Sequence, residues 1–96
     1  MGGDTFFIKA SGKTAKEAFQ SAVHQAQYEH GHGGYSGTIA EKHSFCMIPL
    51  PQGKDHNEYA EYLIDIGDSR IRDKWGDAGC FDLGDGKYYF FGWASS

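Results

Sequence analysis

The chain has 96 residues and a mass of 10.6 kDa, which predicts one small domain spanning residues 1–96. Its 13 acidic and 9 basic residues give a formal net charge of -4, and the scattered lysines and arginines argue against binding to nucleic acid. Seven Phe, six Tyr and two Trp outnumber the aliphatic Ile, Leu and Val residues. We therefore expect a core built largely from aromatic rings.

Apolar runs in the sequence are short, far below the roughly 20 residues that cross a bilayer. No basic stretch followed by an apolar segment marks the chain for export, so we expect a soluble, cytoplasmic protein. The cysteines, Cys46 and Cys80, lie in separate apolar stretches. A reducing compartment predicts that both are buried free thiols, with a disulfide between them as the alternative.

The first two elements are a strand and a helix. Residues Asp4–Ser11 form a short aromatic run bounded by glycines, which predicts a strand with Phe6, Ile8 and Ala10 on one face. A helix is predicted over Thr14–Glu29, because Thr14 and Glu17 form a capping box ahead of apolar residues at helical spacing. The apolar stripe consists of Ala15, Ala18, Phe19, Ala22, Val23 and Ala26.

Glycines dominate the stretch that follows, residues 30–37, which predicts a shaped loop because four glycines in eight residues disfavour regular structure. Beyond it the sequence predicts a short strand over Thr38–Glu41 and a second over Phe45–Ile48, closed by prolines. These two strands are expected to be neighbours.

A second helix is predicted from Asp55 or Asn57 as its N-terminal cap to Gly67 as its stop, with an irregular turn through residues 70–75. The end of the chain, residues 78–94, reads as a hairpin, since two aromatic runs flank Gly84-Asp85-Gly86. The order β-α-β-β-α-β-β predicts an α+β fold: a two-layer sandwich with a mixed or antiparallel sheet and both helices on one face.

The glycine-rich loop is the first candidate binding site. It follows a helix and lacks both the dinucleotide and the P-loop fingerprints, but successive glycine amides can form an anion-binding nest. The alternative is that the glycines only reverse the chain, with Tyr35 packed on the core. The predicted binding residues are Gly33, Gly34, Tyr35, Ser36, Gly37, Thr38 and Lys42.

Histidines near this loop offer a metal site as an alternative. His30 and His32 share one side of an extended backbone, and His24, His43 or Cys46 could complete a site. The paired spacings typical of zinc sites are missing, so we expect solvated histidines, no metal and no cofactor. A further alternative is a small enzyme that acts on a phosphate-containing substrate, with His30, His32 or His43 as general acid or base.

The last strand is aromatic on both faces, so helices on one face would leave a ring row that needs cover. Residues 70–75, a second copy of the chain or a partner are the candidates to cover it. Trp75 and Trp93 are accordingly predicted to contact a partner, and a homodimer is a candidate assembly.

Three segments carry a resemblance. Residues 33–42 (GGYSGTIAEK), 73–79 (DKWGDAG) and 90–94 (FFGWA) resemble small uncharacterised proteins of bacteriophages and bacteria, over most of the chain. The resemblance implies a class of short acidic phage proteins that block host defence by binding a host protein or a signalling nucleotide. Together with the loop and the ring row, it favours a non-enzymatic binding protein, whose partner is a protein or a small anionic ligand.

Overall fold

The computed structural model describes residues 3–30, 39, 42–73 and 76–95, with the backbone alone at residues 3, 29, 30 and 95. The described chain forms an α+β fold with two helices and a four-stranded mixed sheet, which confirms the predicted class. The elements are β1 (Gly3–Ser11), α1 (Ala15–His30), β2 (Phe45–Met47), α2 (His56–Ile66), β3 (Ala78–Gly84) and β4 (Lys87–Ser95).

The sheet has the strand order β1-β4-β3-β2. β4 is antiparallel to both β1 and β3, whereas the short β2 runs parallel to β3. The hairpin between β3 and β4 turns at Asp85 and Gly86, whose φ angles are 55° and 75°. Tight hairpin turns need positive φ at both central residues, so this Asp-Gly pair sets the turn that the sequence predicts.

Both helices begin at the predicted caps. The amide of Glu17 donates to Thr14 Oγ1 at 3.2 Å, and the amide of Glu58 donates to Asp55 Oδ2 at 3.1 Å. Asp55, and not Asn57, is therefore the cap of α2. This helix ends at Gly67, whose φ of 66° is the left-handed conformation that glycine adopts without strain.

The helices pack on opposite faces of the sheet, so the prediction of a two-layer fold with both helices on one face is wrong. Phe6 and Phe90 lie in the core beneath α1, while Phe81 and Phe91 lie in a second core beneath α2. Neighbouring strand residues point to opposite faces, so the consecutive rings of β4 need cover on both. Helix α2 supplies the second cover.

The predicted strand over Thr38–Glu41 is also wrong at its described residue. Ile39 lies in a 3₁₀ turn, where its carbonyl accepts the Lys42 amide at 2.9 Å. Its side chain is 1% exposed and belongs to the core beneath α1. Ile39 is thus apolar because it is buried in the core, and not because it belongs to a strand. Residues 38, 40 and 41 lie outside the described chain.

The two cysteines are free thiols, as predicted, but only Cys80 is buried, and Cys46 is half-buried. Cys46 stands opposite Gly79 and Met47 opposite Cys80 in the parallel pairing, so the cysteines point to different faces. Cys80 is buried, and desolvation raises the pKa of its thiol to about 12. In the described part of the chain, neither helix is long and apolar enough to span a membrane.

Just after α2, a salt bridge joins Asp68 and Arg70 and leads to a stability prediction. The Asp68 carboxylate accepts from Arg70 Nε at 2.9 Å and Nη2 at 2.8 Å, and these side-chain bonds are the main reason that the pKa of Asp68 falls to about 2. Replacing Asp68 with Asn should lower the free energy of unfolding by about 1 kcal/mol at neutral pH.

That loss should depend on pH with a defined sign. The folded pKa of Asp68 lies below its ordinary value of 3.8, so its stabilisation is complete above that value and is lost as pH falls through about 2. Urea unfolding at neutral pH and at progressively lower pH measures the convergence of Asp68→Asn and wild type. Asp85→Asn, in the exposed hairpin turn, is the control; a gap that persists unchanged in acid would contradict the assignment.

Candidate functional site

The described chain has a groove between α1 and residues 42–45, which we call the histidine groove. Two adjoining cavities of about 360 Å³ and 280 Å³ form it and share Phe19, Gln20 and His43. Both have volumes near the lower end of small-ligand pockets. The remaining lining residues are Lys16, Val23, His24, Gln27, Lys42, Ser44 and Phe45.

Helix α1 positions most of these side chains. Lys16, Gln20, Val23 and Gln27 are spaced by three or four residues, so they form a stripe beside the buried apolar face of the helix. Beneath this stripe, aromatic rings make the wall: the Phe19 ring lies 5.1 Å from that of Phe45. The groove therefore combines a polar rim with an aromatic base.

The electrostatics of the histidine groove differ from those of the whole chain. Although the net charge of the protein is -4, no Asp or Glu is among the described residues that line either cavity. The carboxylate of Asp77 contacts one lining residue, since its Oδ1 accepts a hydrogen bond from Ser44 Oγ. Side chains of Lys16, His24 and Gln27 can donate hydrogen bonds into the groove, a lining that suits an anion.

Lys42 ends this groove and takes part in a buried network. Its side chain is 3% exposed, and its Nζ donates to the carbonyl of Gly76 at 2.9 Å and of Asp73 at 3.4 Å. Burial lowers the pKa of Lys42, opposed by the negative charges of Asp73 and Asp77. The ammonium thus joins residue 42 to the turn before β3, and its predicted contact with a ligand stays a prediction.

Trp93 lines a separate groove on the α2 face, which we call the Trp93 groove. One cavity of about 440 Å³ lies between β1, β4 and α2, and a second of about 250 Å³ adjoins it. The two share Phe7, whose side chain is 40% exposed, and Glu61. The other lining residues are Thr5, Ile64, Asp65 and Trp93 in the first cavity and Asn57 and Tyr89 in the second.

Carboxylates give the Trp93 groove a negative potential. Tyr89 donates its hydroxyl hydrogen to Asn57 Oδ1, and burial, followed by the charges of Glu61 and Asp55, raises the pKa of Tyr89. This chemistry disfavours an anion and suits a cationic group above aromatic rings. Lys42 and Trp93 line grooves on opposite faces of the sheet, so the structure does not bring these two predicted residues into one cavity.

The other predicted binding residues lie outside the described chain. They are Gly33, Gly34, Tyr35, Ser36, Gly37, Thr38 and Trp75. His32 is likewise undescribed, and of His30 only the backbone is described. Within the described residues, no three His, Cys, Asp or Glu side chains are grouped so as to hold a metal ion.

The groove lined by α1 was not predicted from the sequence. Lys16, Gln20 and Gln27 are recognisable in the sequence as polar positions beside the apolar stripe, but a polar stripe alone is typical of any solvated helix face. The groove forms only where residues 42–45 lie against this stripe, and that contact joins parts of the chain that are distant in the sequence.

Comparisons with known proteins returned no match, whether against family models, curated proteins or solved structures. Function is therefore inferred from the two grooves and from the chemistry of their side chains.

Proposed function

We propose that this is a non-enzymatic binding protein of the cytoplasm, and that the histidine groove takes a small anionic, nucleotide-like ligand. The observation that carries the proposal is the lining of the groove. Two adjoining cavities of an acidic chain present lysine, histidine and glutamine side chains, with no carboxylate among their described lining residues. Hydrogen bonds from a charged donor to an anion are the strong ones, so such a rim favours phosphate-like groups.

The aromatic base of the groove suits the rest of such a ligand. Phe45 is half-buried, so part of its ring faces the cavity that Lys16 and His43 also line. A planar heterocycle can stack on this ring while its phosphate meets the polar rim. This division of labour, an apolar surface with a few placed donors, is typical of small-molecule sites.

Two sequence features support the same class of ligand. The glycine-rich residues 33–38 precede Lys42 closely, and the anion nest predicted for them would add backbone amides to a phosphate site. The resemblance to phage proteins, for its part, suggests a host signalling nucleotide as the physiological ligand. We propose both as extensions of the groove, which stands on its own described residues.

Binding is tested by calorimetric titration of the full chain with three probes: inorganic phosphate, ADP and cyclic di-AMP. We expect at least one nucleotide to bind more tightly than phosphate, because only the nucleotides offer a ring to Phe45. Replacing Lys16 with Gln should weaken that binding about tenfold, the effect of one lost charge-assisted hydrogen bond. His43→Gln, which removes a ring that lines both cavities, should weaken it as well. Lys13→Gln, which removes an exposed charge outside the groove, is the matched control.

Three outcomes would contradict the proposal. Absence of heat with all probes at millimolar concentration would remove the ligand class. Equal weakening by Lys13→Gln and Lys16→Gln would indicate a general charge effect without a site. Release of phosphate from ADP by the wild type, abolished in His43→Gln, would show that the groove belongs to a small enzyme.

A further inference from the structure

The strand β1 forms one edge of the sheet over its whole length. It spans nine residues, Gly3–Ser11, and pairs through all of them with β4 on one side. On its other side, no strand of the described chain pairs with it. Such an edge presents a row of backbone amides and carbonyls that can pair with another strand.

The features that natural proteins use to block edge pairing are scarce in β1. The register with β4 runs without a bulge from Gly3 opposite Ser95 to Ser11 opposite Lys87. The strand contains no proline, and Lys9 is its one charge away from the N-terminal end. A long, regular edge with few charges is a template for strand addition.

On the α2 face, β1 presents Thr5, Phe7 and Lys9, all exposed, because alternate residues of a strand share a face. The ring of Phe7 is 40% exposed and belongs to the Trp93 groove, next to Glu61 and Asp65 of α2. Neither carboxylate forms a salt bridge within the part of the chain that the structure describes. The groove therefore offers an open ring and negative charge beside a free sheet edge.

A second copy of β1 can supply an aromatic ring and a positive charge to this surface, through its own Phe7 and Lys9. A two-fold axis normal to the sheet leaves each face of the two copies on the same side. Paired residues must then lie on the same face, so their residue numbers are both odd or both even. The axis that pairs all nine residues passes through Phe7, the middle residue of the strand. In this register Phe7 stands opposite Phe7 of the second copy, and Lys9 of the second copy stands opposite Thr5.

The same register brings opposite charges together. Thr5 lines the cavity that contains Glu61 and Asp65, and directly opposed residues of paired strands are about 4.5 to 5.5 Å apart. Lys9 of the second copy, on its flexible four-carbon stem, then reaches the carboxylates of α2, and symmetry repeats the contact. Two exposed Phe7 rings also shield each other from water.

We infer that the chain forms a symmetric dimer through antiparallel pairing of β1 with β1 of a second copy, with Lys9 of each copy in the Trp93 groove of the other. The two sheets become one continuous sheet of eight described strands. This inference does not depend on the ligand proposed for the histidine groove, which lies on the other face.

Light scattering after size-exclusion chromatography, over a range of protein concentrations, measures the mass of the assembly. The wild type should show twice the chain mass of 10.6 kDa. Lys9→Glu replaces the attraction with repulsion at both symmetric contacts and should weaken the dimer at least about tenfold. Lys54→Glu changes the net charge equally at an exposed site outside both grooves and should leave the dimer intact.

A charge reversal separates this contact from mere loss of folding. Lys9→Glu combined with Glu61→Lys and Asp65→Lys restores opposite charges, so the triple variant should regain the dimer. The register is read independently by one added cysteine in a Cys46→Ser background, in which the remaining native cysteine, Cys80, is buried. Phe7→Cys should cross-link under mild oxidation, because the two positions face each other. Thr5→Cys should not, because its copies lie four residues apart along the strands, about 13 Å.

The inference is overturned if the wild type keeps the mass of one chain at every concentration. It is equally overturned if a dimer forms but Lys9→Glu leaves it unchanged, or if Thr5→Cys cross-links in preference to Phe7→Cys. Either of the last two results would place the dimer contact on a different surface or in a different register.

Discussion

Replacing Phe90 with alanine is expected to lower the free energy of unfolding by about 3 to 5 kcal/mol, the usual cost of removing a buried ring. Phe90 is 0% exposed in the central strand β4, beneath α1. Its ring lies 5.6 Å from that of Phe19 and 5.7 Å from that of Phe45. Alanine leaves a cavity among three elements, which the surrounding rings cannot fill without leaving their own contacts.

Urea unfolding followed by circular dichroism measures this loss, at one protein concentration because dimer formation would shift the midpoint. Small domains are typically stable by only about 5 to 15 kcal/mol, so Phe90→Ala should retain little folded protein at elevated temperature. Tyr28→Ala is the matched control, since Tyr28 is an aromatic residue that is 85% exposed on α1. We expect it to change stability by no more than about 0.5 kcal/mol. Equal losses in the two variants would contradict the assignment of the core.

Local signals in the sequence were enough to predict both helices and the hairpin. The Thr14 and Asp55 caps, the Gly67 stop and the Asp85-Gly86 turn act through hydrogen bonds and φ preferences within a few residues. In contrast, the pairing of β1 with β4, and the face of the sheet on which each helix packs, depend on contacts between residues that are distant in the sequence. Because β4 carries rings on both faces, its pattern is compatible with helices on the same or on opposite faces, and only the structure decides between them.

For the candidate site too, one part was predicted from the sequence and another part depends on tertiary contacts. Trp93 was predicted to contact a partner because helices on one face would leave its ring row uncovered; it lines a groove on the α2 face, and its contact with a partner stays a prediction. The histidine groove was not predicted as a unit, because it forms where α1 meets residues 42–45. Burial of Lys42 has no signal in the sequence, since its partners are backbone carbonyls 31 and 34 residues away.

Lys42→Met should lower the free energy of unfolding by about 2 kcal/mol. This loss is expected even though the variant no longer bears the cost of burying a charge. Methionine keeps the apolar stem but leaves the carbonyls of Asp73 and Gly76 without the donor that Nζ supplies. It also removes the positive charge with which Asp73 and Asp77 interact. Lys16→Met is the matched control, because Lys16 is exposed and lines the same groove; we expect a change within about 0.5 kcal/mol.

The loss from Lys42→Met should grow with pH. Burial lowers the pKa of Lys42 below its ordinary value of 10.5, so between these two values the unfolded chain binds more protons at this residue than the folded chain does. Stability rises with pH wherever the unfolded state holds more protons, so the wild type should gain over Lys42→Met as pH rises above neutral towards the ordinary pKa of lysine. Tyrosine ionisation is common to both proteins and cancels in the difference. A variant as stable as the wild type, with weaker nucleotide binding, would instead assign Lys42 to the ligand, as the sequence predicts.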